Sequence, residues 1–95
     1  MRIAARVDDN HTTIVAYFRK FGCAVFDVHA IPNGCDLFVS KNMKTFAIEI
    51  KDGSKSASEK KLTPGEQKFK DKWLGNYMIV ENLSDVIAVV KALER

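Results

Sequence analysis

Asp36, Glu49 and Lys51 have the types and spacing of a site that hydrolyses phosphodiesters. Asp36 opens a short β-like run, Asp36-Leu37-Phe38-Val39-Ser40, and Glu49 and Lys51 stand two residues apart near the end of another, Thr45 to Lys51. If the two runs form a hairpin about Asn42-Met43, Lys41 meets Lys44, Ser40 meets Thr45 and Asp36 meets Glu49. Directly opposed residues have Cβ atoms about 4.5–5.5 Å apart. Lys51 shares that face because side chains alternate with a period of two. The opposite face collects Leu37, Val39, Phe46, Ile48 and Ile50, ready for burial. The strained point is Met43, since a two-residue hairpin turn wants positive φ at both positions.

Two opposed carboxylates repel unless something neutralises them. A divalent cation would, and hard carboxylate oxygens suit Mg²⁺ or Mn²⁺ better than zinc. A lysine beside such an ion can assist an attacking water or neutralise charge developing on a phosphate. Asp36→Ala is accordingly expected to relieve repulsion in the metal-free protein. Glu-x-Lys alone is common as a surface ion pair, so it is the opposed Asp36 that gives the pair chemical meaning.

The chain carries a net charge of +3, and the whole excess lies in residues 51–73, where seven lysines face four acids. Elsewhere basic and acidic residues balance at eight each. This concentration points to an anionic partner, with Lys55, Lys60 and Lys61 as candidate phosphate contacts. The segment Ser54 to Leu62 has no apolar anchor before Leu62, and it is expected to be mobile without nucleic acid and ordered with it.

Around this centre, a short arm is expected over residues 1–8. A helix is expected from Asn10 to Phe21, with Ile14, Val15, Phe18 and Phe21 in one stripe and Gly22 as its stop. Strands are expected over 24–31, ending at the turn Pro32-Asn33-Gly34, then over 36–40 and 45–51. Thr63-Pro64-Gly65-Glu66 is a capping box with proline at N1, opening a helix that carries Phe69 and Trp73 and ends near Gly75. A fourth strand is read at Tyr77 to Val80. A last helix, capped by Ser84, presents Val86, Ile87, Val89, Val90 and Leu93. Trp73 reads as core packing rather than a base-stacking platform.

At 95 residues, 46% hydrophobic and 28% charged, the chain is one α/β domain, 1–95, with an ordinary globular balance. No apolar run approaches the ~18 residues of a membrane span. Nor is there a secretory signal at Met1 to Arg6, so a cytoplasmic protein without a membrane partner is expected. Cys23 and Cys35 read as reduced, packed thiols. His11 is expected to cap a helix or face solvent and His29 to make an ordinary hydrogen bond. Neither is placed by spacing to complete a zinc site with the cysteines.

Three segments together, Asn33-Gly34-Cys35-Asp36-Leu37-Phe38-Val39, Phe46-Ala47-Ile48-Glu49-Ile50-Lys51-Asp52-Gly53 and Lys61-Leu62-Thr63-Pro64-Gly65-Glu66-Gln67, resemble the PD-(D/E)xK nuclease superfamily. Within it they are most similar to the virus-type replication-repair nuclease (VRR-NUC) domains of small phage proteins. The likeness runs over roughly residues 7 to 90. It implies a restriction-endonuclease-like fold, an α-β-β-β-α-β core with a mixed sheet flanked by helices. It implies metal binding by Asp36, Glu49 and the Ile50 carbonyl, a water-positioning Lys51, and Gln67 beside the site. An acidic residue on the first helix often joins them; Asp9 is the candidate, with Asn10 or Asp8 as alternatives. Cys35 departs from the pattern, standing where proline is usual. The resemblance further implies a homodimer, similar to archaeal Holliday junction resolvases, cutting branched or flapped DNA with Mg²⁺ or Mn²⁺ in the bacterial host of a phage or prophage. The alternative from another class is a non-catalytic nucleic-acid-binding module on the same fold.

Overall fold

A computed structural model describes residues 8–95; most of the arm expected over residues 1–8 lies outside them. The elements are α1 (His11–Lys20), β1 (Ala24–Asp27), β2 (Leu37–Lys41), β3 (Lys44–Ile50), α2 (Pro64–Lys72), β4 (Asn76–Val80) and α3 (Leu83–Leu93). The strands form one mixed sheet in the order β1-β2-β3-β4. β1, β2 and β3 run antiparallel in turn, and β4 joins β3 in parallel. No helix among the described residues is long and apolar enough to cross a membrane.

Period-two alternation splits the sheet into two unlike faces. Leu37, Val39, Ile48, Ile50 and Val80 are fully buried, and they pack with Ile14, Val15 and Phe18 of α1 and Val86, Val89, Val90 and Leu93 of α3. The apolar stripes expected on the two helices therefore meet one sheet face, except for Phe21, which is exposed beyond the end of α1, and Ile87, which is half-buried; this is the core. The other face carries Ala47, Glu49 and Tyr77 and is flanked by α2, none of whose residues is buried. Phe69 of α2 stacks on Trp73 with ring centroids 5.4 Å apart, and Trp73 lies 5.6 Å from Phe38. Trp73 thus packs, as expected, but at a half-buried margin.

The hairpin has the anticipated register, from Lys41↔Lys44 to Leu37↔Ile48. Asn42 and Met43 take φ of 57° and 67°, the left-handed conformation such a turn demands. Several boundaries differ from expectation, most by one residue, and four have a plain physical reason. β1 stops at Asp27: the Val28 N–H still meets the Asp36 carbonyl in register, but the Asp36 N–H is given to Ile48 on the other side, so the ladder goes no further. β2 starts at Leu37: the Asp36 N–H donates to the Ile48 carbonyl, and Ile48 is already Leu37's partner. Two residues opposing one is a β-bulge, which re-aims a side chain. α2 ends at Lys72 because Trp73 is extended. α3 is capped by Asn82, whose side chain accepts from the Asp85 N–H, not by Ser84. The capping box at Thr63 and Glu66 forms in full.

A left-handed conformation costs a non-glycine residue about 1–2 kcal/mol, and Met43 is fully exposed, with no packing to lose. Met43→Gly is expected to stabilise the protein by about 1 kcal/mol, raising the melting temperature by about 4–8 °C. Thermal unfolding followed by circular dichroism checks this; an unchanged or lower midpoint would mean that the turn is unstrained.

Candidate active site

The paired ends of β2 and β3 bring the expected acids together, through the bulge rather than through a regular ladder pair. Asp36 turns its carboxylate along the edge of β3, where Oδ2 accepts the Ile50 N–H at 2.7 Å. This bond fixes Asp36 beside Glu49 and ties the start of β2 to the end of β3. Ile50 is buried in the core, so Glu49 and Lys51 on either side must project to the opposite face. Both are themselves buried, at 3% and 8% exposure.

A third acid joins them. Glu66 Oε1 accepts from Lys51 Nζ at 2.8 Å while also accepting the Thr63 N–H in the capping box. The Glu49 carboxyl is pushed up to about 10, first by desolvation, then by hydrogen bonding and charge from Asp36 and from Glu66. Glu66 moves the other way. Burial works against its charge, but hydrogen bonds to Lys51, the Thr63 N–H and Glu49 together outweigh it and hold the carboxyl below its ordinary value. For Lys51, burial favours the neutral amine, yet Glu66 and then Glu49 outweigh it and raise the pKa. Lys51 is therefore a cation at neutral pH and not a base.

The remaining expected residues divide. Asp8, not Asp9, faces the site. It lines a groove with Lys51, Lys55, Lys61, Thr63 and Glu66, whereas Asp9 is exposed. Burial raises the Asp8 carboxyl against the opposing pull of Lys51, with Asp36 adding to the rise. Asn10 serves as a strut: its Nδ2 donates to the carbonyls of Lys51 and Glu81, both at 3.0 Å. Gln67 is not brought into the site, since it is exposed and its Nε2 donates to Asp71 one turn along α2. Lys55 and Lys61 line the groove, but Lys60 is paired with Glu81 at 3.2 Å. The segment holding them is folded into turns, with Asp52 capping Ser54 and Glu59 capping Ser56.

Sequence reasoning misses two participants. Glu66 reads there only as a capping residue, although its place at N3 aims it at the strand ends. Tyr77, which reads only as a strand residue, shares the site's face of the sheet. Its hydroxyl is buried without a hydrogen-bond partner among the described residues, and the carboxyls of Glu49 and Glu66 raise it after desolvation does. Cys35, in the position where the resemblance expects proline, is a buried thiol bonded to the Leu37 carbonyl; desolvation raises it to about 11. Cys23 and Cys35 are both free and buried, as expected.

A second groove reaches the carboxyls from the other side. It passes from His29 along the β1–β2 loop to Asp36, Glu49 and Glu66. Gly65 lets α2 approach that loop, for an added Cβ would sit 2.8 Å from Asn33 Oδ1. The chain matches no family model, no curated protein and no solved structure.

An acid whose folded pKa lies above its unfolded one binds protons more tightly when folded. The Glu49 contribution to stability is therefore lost as pH rises from about 4.5 towards 10. Without divalent cations, Glu49→Gln is expected to melt higher than the wild type at pH 8 and to lose that advantage near pH 4. Each ~1 kcal/mol relieved corresponds to about 4–8 °C. Asp36→Ala is not expected to stabilise once the bulge is in view, because it strands the Ile50 N–H, at a cost of about 1–3 kcal/mol. Asp36→Asn keeps an acceptor, and the melting temperatures of the two variants should differ accordingly.

Proposed function

We propose that the chain is a Mg²⁺- or Mn²⁺-dependent endodeoxyribonuclease with a restriction-endonuclease-like, VRR-NUC-type fold, acting on branched or flapped DNA. The observation that carries this reading is the placing of the Asp36 and Glu49 carboxyls on one groove at the paired ends of β2 and β3, with charged Lys51 on the same face. Such a grouping destabilises the fold, and a structural surface has no use for it.

The donors suit a hard divalent cation. Asp36, Glu49 and the Ile50 carbonyl would hold it, with Glu66 near enough to take part. The Tyr77 hydroxyl, on the same face of the sheet, is buried without a hydrogen-bond partner among the described residues. When bound, such an ion supplies a Lewis acid to the scissile phosphate and acidifies water. The residues do the rest. Lys51, cationic because of Glu66, neutralises charge on a phosphate oxygen or orients the attacking water. Hydrolysis adds one water across a P–O bond, and the departing oxygen takes up a proton. Lys55 and Lys61, on the groove beside Lys51, contact flanking phosphates. The preference for branched DNA, homodimeric pairing and a phage or prophage setting rest on the resemblance alone.

The test is cleavage of labelled four-way junction, flap and plain duplex DNA with Mg²⁺ or Mn²⁺. Lys51→Ala, Glu49→Gln and Asp36→Asn should each lower the rate by at least about 10²-fold while the fold persists. Lys55→Ala and Lys61→Ala should weaken binding evenly across sequences and reduce the salt slope by about 1 each. Lys60→Ala should do less, because Glu81 already neutralises it. Binding without cleavage in either metal would overturn the enzyme reading in favour of the non-catalytic nucleic-acid-binding module.

A further inference from the structure

At the same end of the sheet, on the opposite face, three metal-ligating side chains from separate parts of the chain converge. Asp27 ends β1 opposite Leu37 and so shares the face covered by α1. His11, the first residue of α1, places Nε2 2.9 Å from Asp27 Oδ2. His29, in the β1–β2 loop, places Nδ1 2.6 Å from Asp27 Oδ1 and donates its backbone N–H to the same oxygen at 3.3 Å. One ligand atom from each residue lies within 4.8 Å of the other two. The two rings meet edge to face with centroids 5.1 Å apart.

Sequence reasoning expects His11 to cap a helix or face solvent. It does neither, being buried at 6% exposure. A neutral imidazole is the form that binds metals. Asp27 supplies the carboxylate, with one oxygen facing each imidazole nitrogen. Two imidazoles and one carboxylate suit a borderline ion such as Zn²⁺, with bonds of about 2.0–2.1 Å and ligand atoms about 3.3 Å apart in a tetrahedron. The N···O separations of 2.6 and 2.9 Å need open by about 0.4–0.7 Å to reach it. Asp27 and His29 are partly exposed, at 37% and 29% of their side chains, which leaves the entry path and a fourth ligand position to solvent.

We propose that His11, Asp27 and His29 form a transition-metal site that takes Zn²⁺ and is separate from the Asp36–Glu49 carboxyl site. The proposal does not depend on the nuclease reading. Its structural consequence is local: it joins the start of α1, the end of β1 and the loop that closes when Val28 bonds to Asp36. A bound ion would brace the segment that delivers Asp36.

The test titrates the full-length chain, freed of metal with a chelator, with Co²⁺ followed by visible absorption and with Zn²⁺ followed by calorimetry. One equivalent should bind with the intense absorption of a low-coordinate site, and Zn²⁺ should displace the Co²⁺. His29→Ala, at a part-exposed loop position, should keep the fold by circular dichroism and weaken binding at least about 10²-fold. Asp27→Asn should weaken it as well. Glu49→Gln, in the other site, should leave it unchanged. His11→Ala removes a buried side chain, so the decision rests on His29→Ala and Asp27→Asn. Absence of stoichiometric binding, or binding that survives His29→Ala but is lost in Glu49→Gln, would overturn the proposal.

Discussion

Glu49 sits where it does because Ile48 and Ile50 sit where they do. Each of these isoleucines is fully buried, and burying such a side chain stabilises a fold by roughly 1.5–3 kcal/mol. Leu37 and Val39 across the hairpin, and Val80 across the parallel pair, are buried on the same face. A one-residue slip of β3 would turn all of its apolar side chains towards water. The core therefore fixes the register, and the register delivers Glu49 and Lys51 to the opposite face without regard to the repulsion there. The bulge completes the arrangement. By stepping Asp36 out of the ladder, it replaces a regular cross-strand pair with a bond from the Ile50 N–H to the carboxylate, so Asp36 is held at a fixed point along β3.

The two faces of the sheet are stabilised by different physics. α1 and α3 seal one with aliphatic packing. α2 covers part of the other with no buried residue of its own. It is attached by the Lys51–Glu66 ion pair, by the ring contacts of Phe69 and Trp73 with Tyr77 and Phe38, and by the close approach of Gly65 to Asn33. Glu66 is used twice, as the capping residue that starts α2 and as the anion that keeps Lys51 charged. The local order of the helix and the electrostatics of the site are thus properties of one side chain.

The hairpin is legible in the sequence because its two-face pattern admits only one register that buries the apolar residues. The capping box is legible because its three signals, Thr63, Pro64 and Glu66, fall within four residues. The misses have physical reasons of their own. A bulge leaves no signature in composition, so Asp36 reads as an ordinary opposed residue. Asp8 and Asp9 are neighbours just before α1, and nothing local chooses which of them turns towards the strand ends. Asn82 and Ser84 are both competent caps; the geometry after β4 decides between them. Gln67 and Glu66 are separated by about 100° around a helix and cannot face the same way, so bringing Glu66 to Lys51 turns Gln67 outward. His11 and Asp27, sixteen residues apart, meet only because α1 folds back over β1.

The connections around β3 are very unequal in length. β2 and β3 are joined by Asn42 and Met43 alone, whereas residues 51–75 intervene before β4. Closing a short loop costs little chain entropy, and parallel pairing across a long crossover must wait for it. Asp36 and Glu49 therefore belong to a unit that can form from neighbouring residues, while Lys51 gains Glu66 only after the crossover has docked. Asp36, Glu49 and the neighbouring Lys51 come together first, and a third carboxyl arrives last. In a folding chain, the hairpin closes against the repulsion of its own two acids, and the long crossover that follows adds Glu66, which takes up Lys51 and presses further on Glu49.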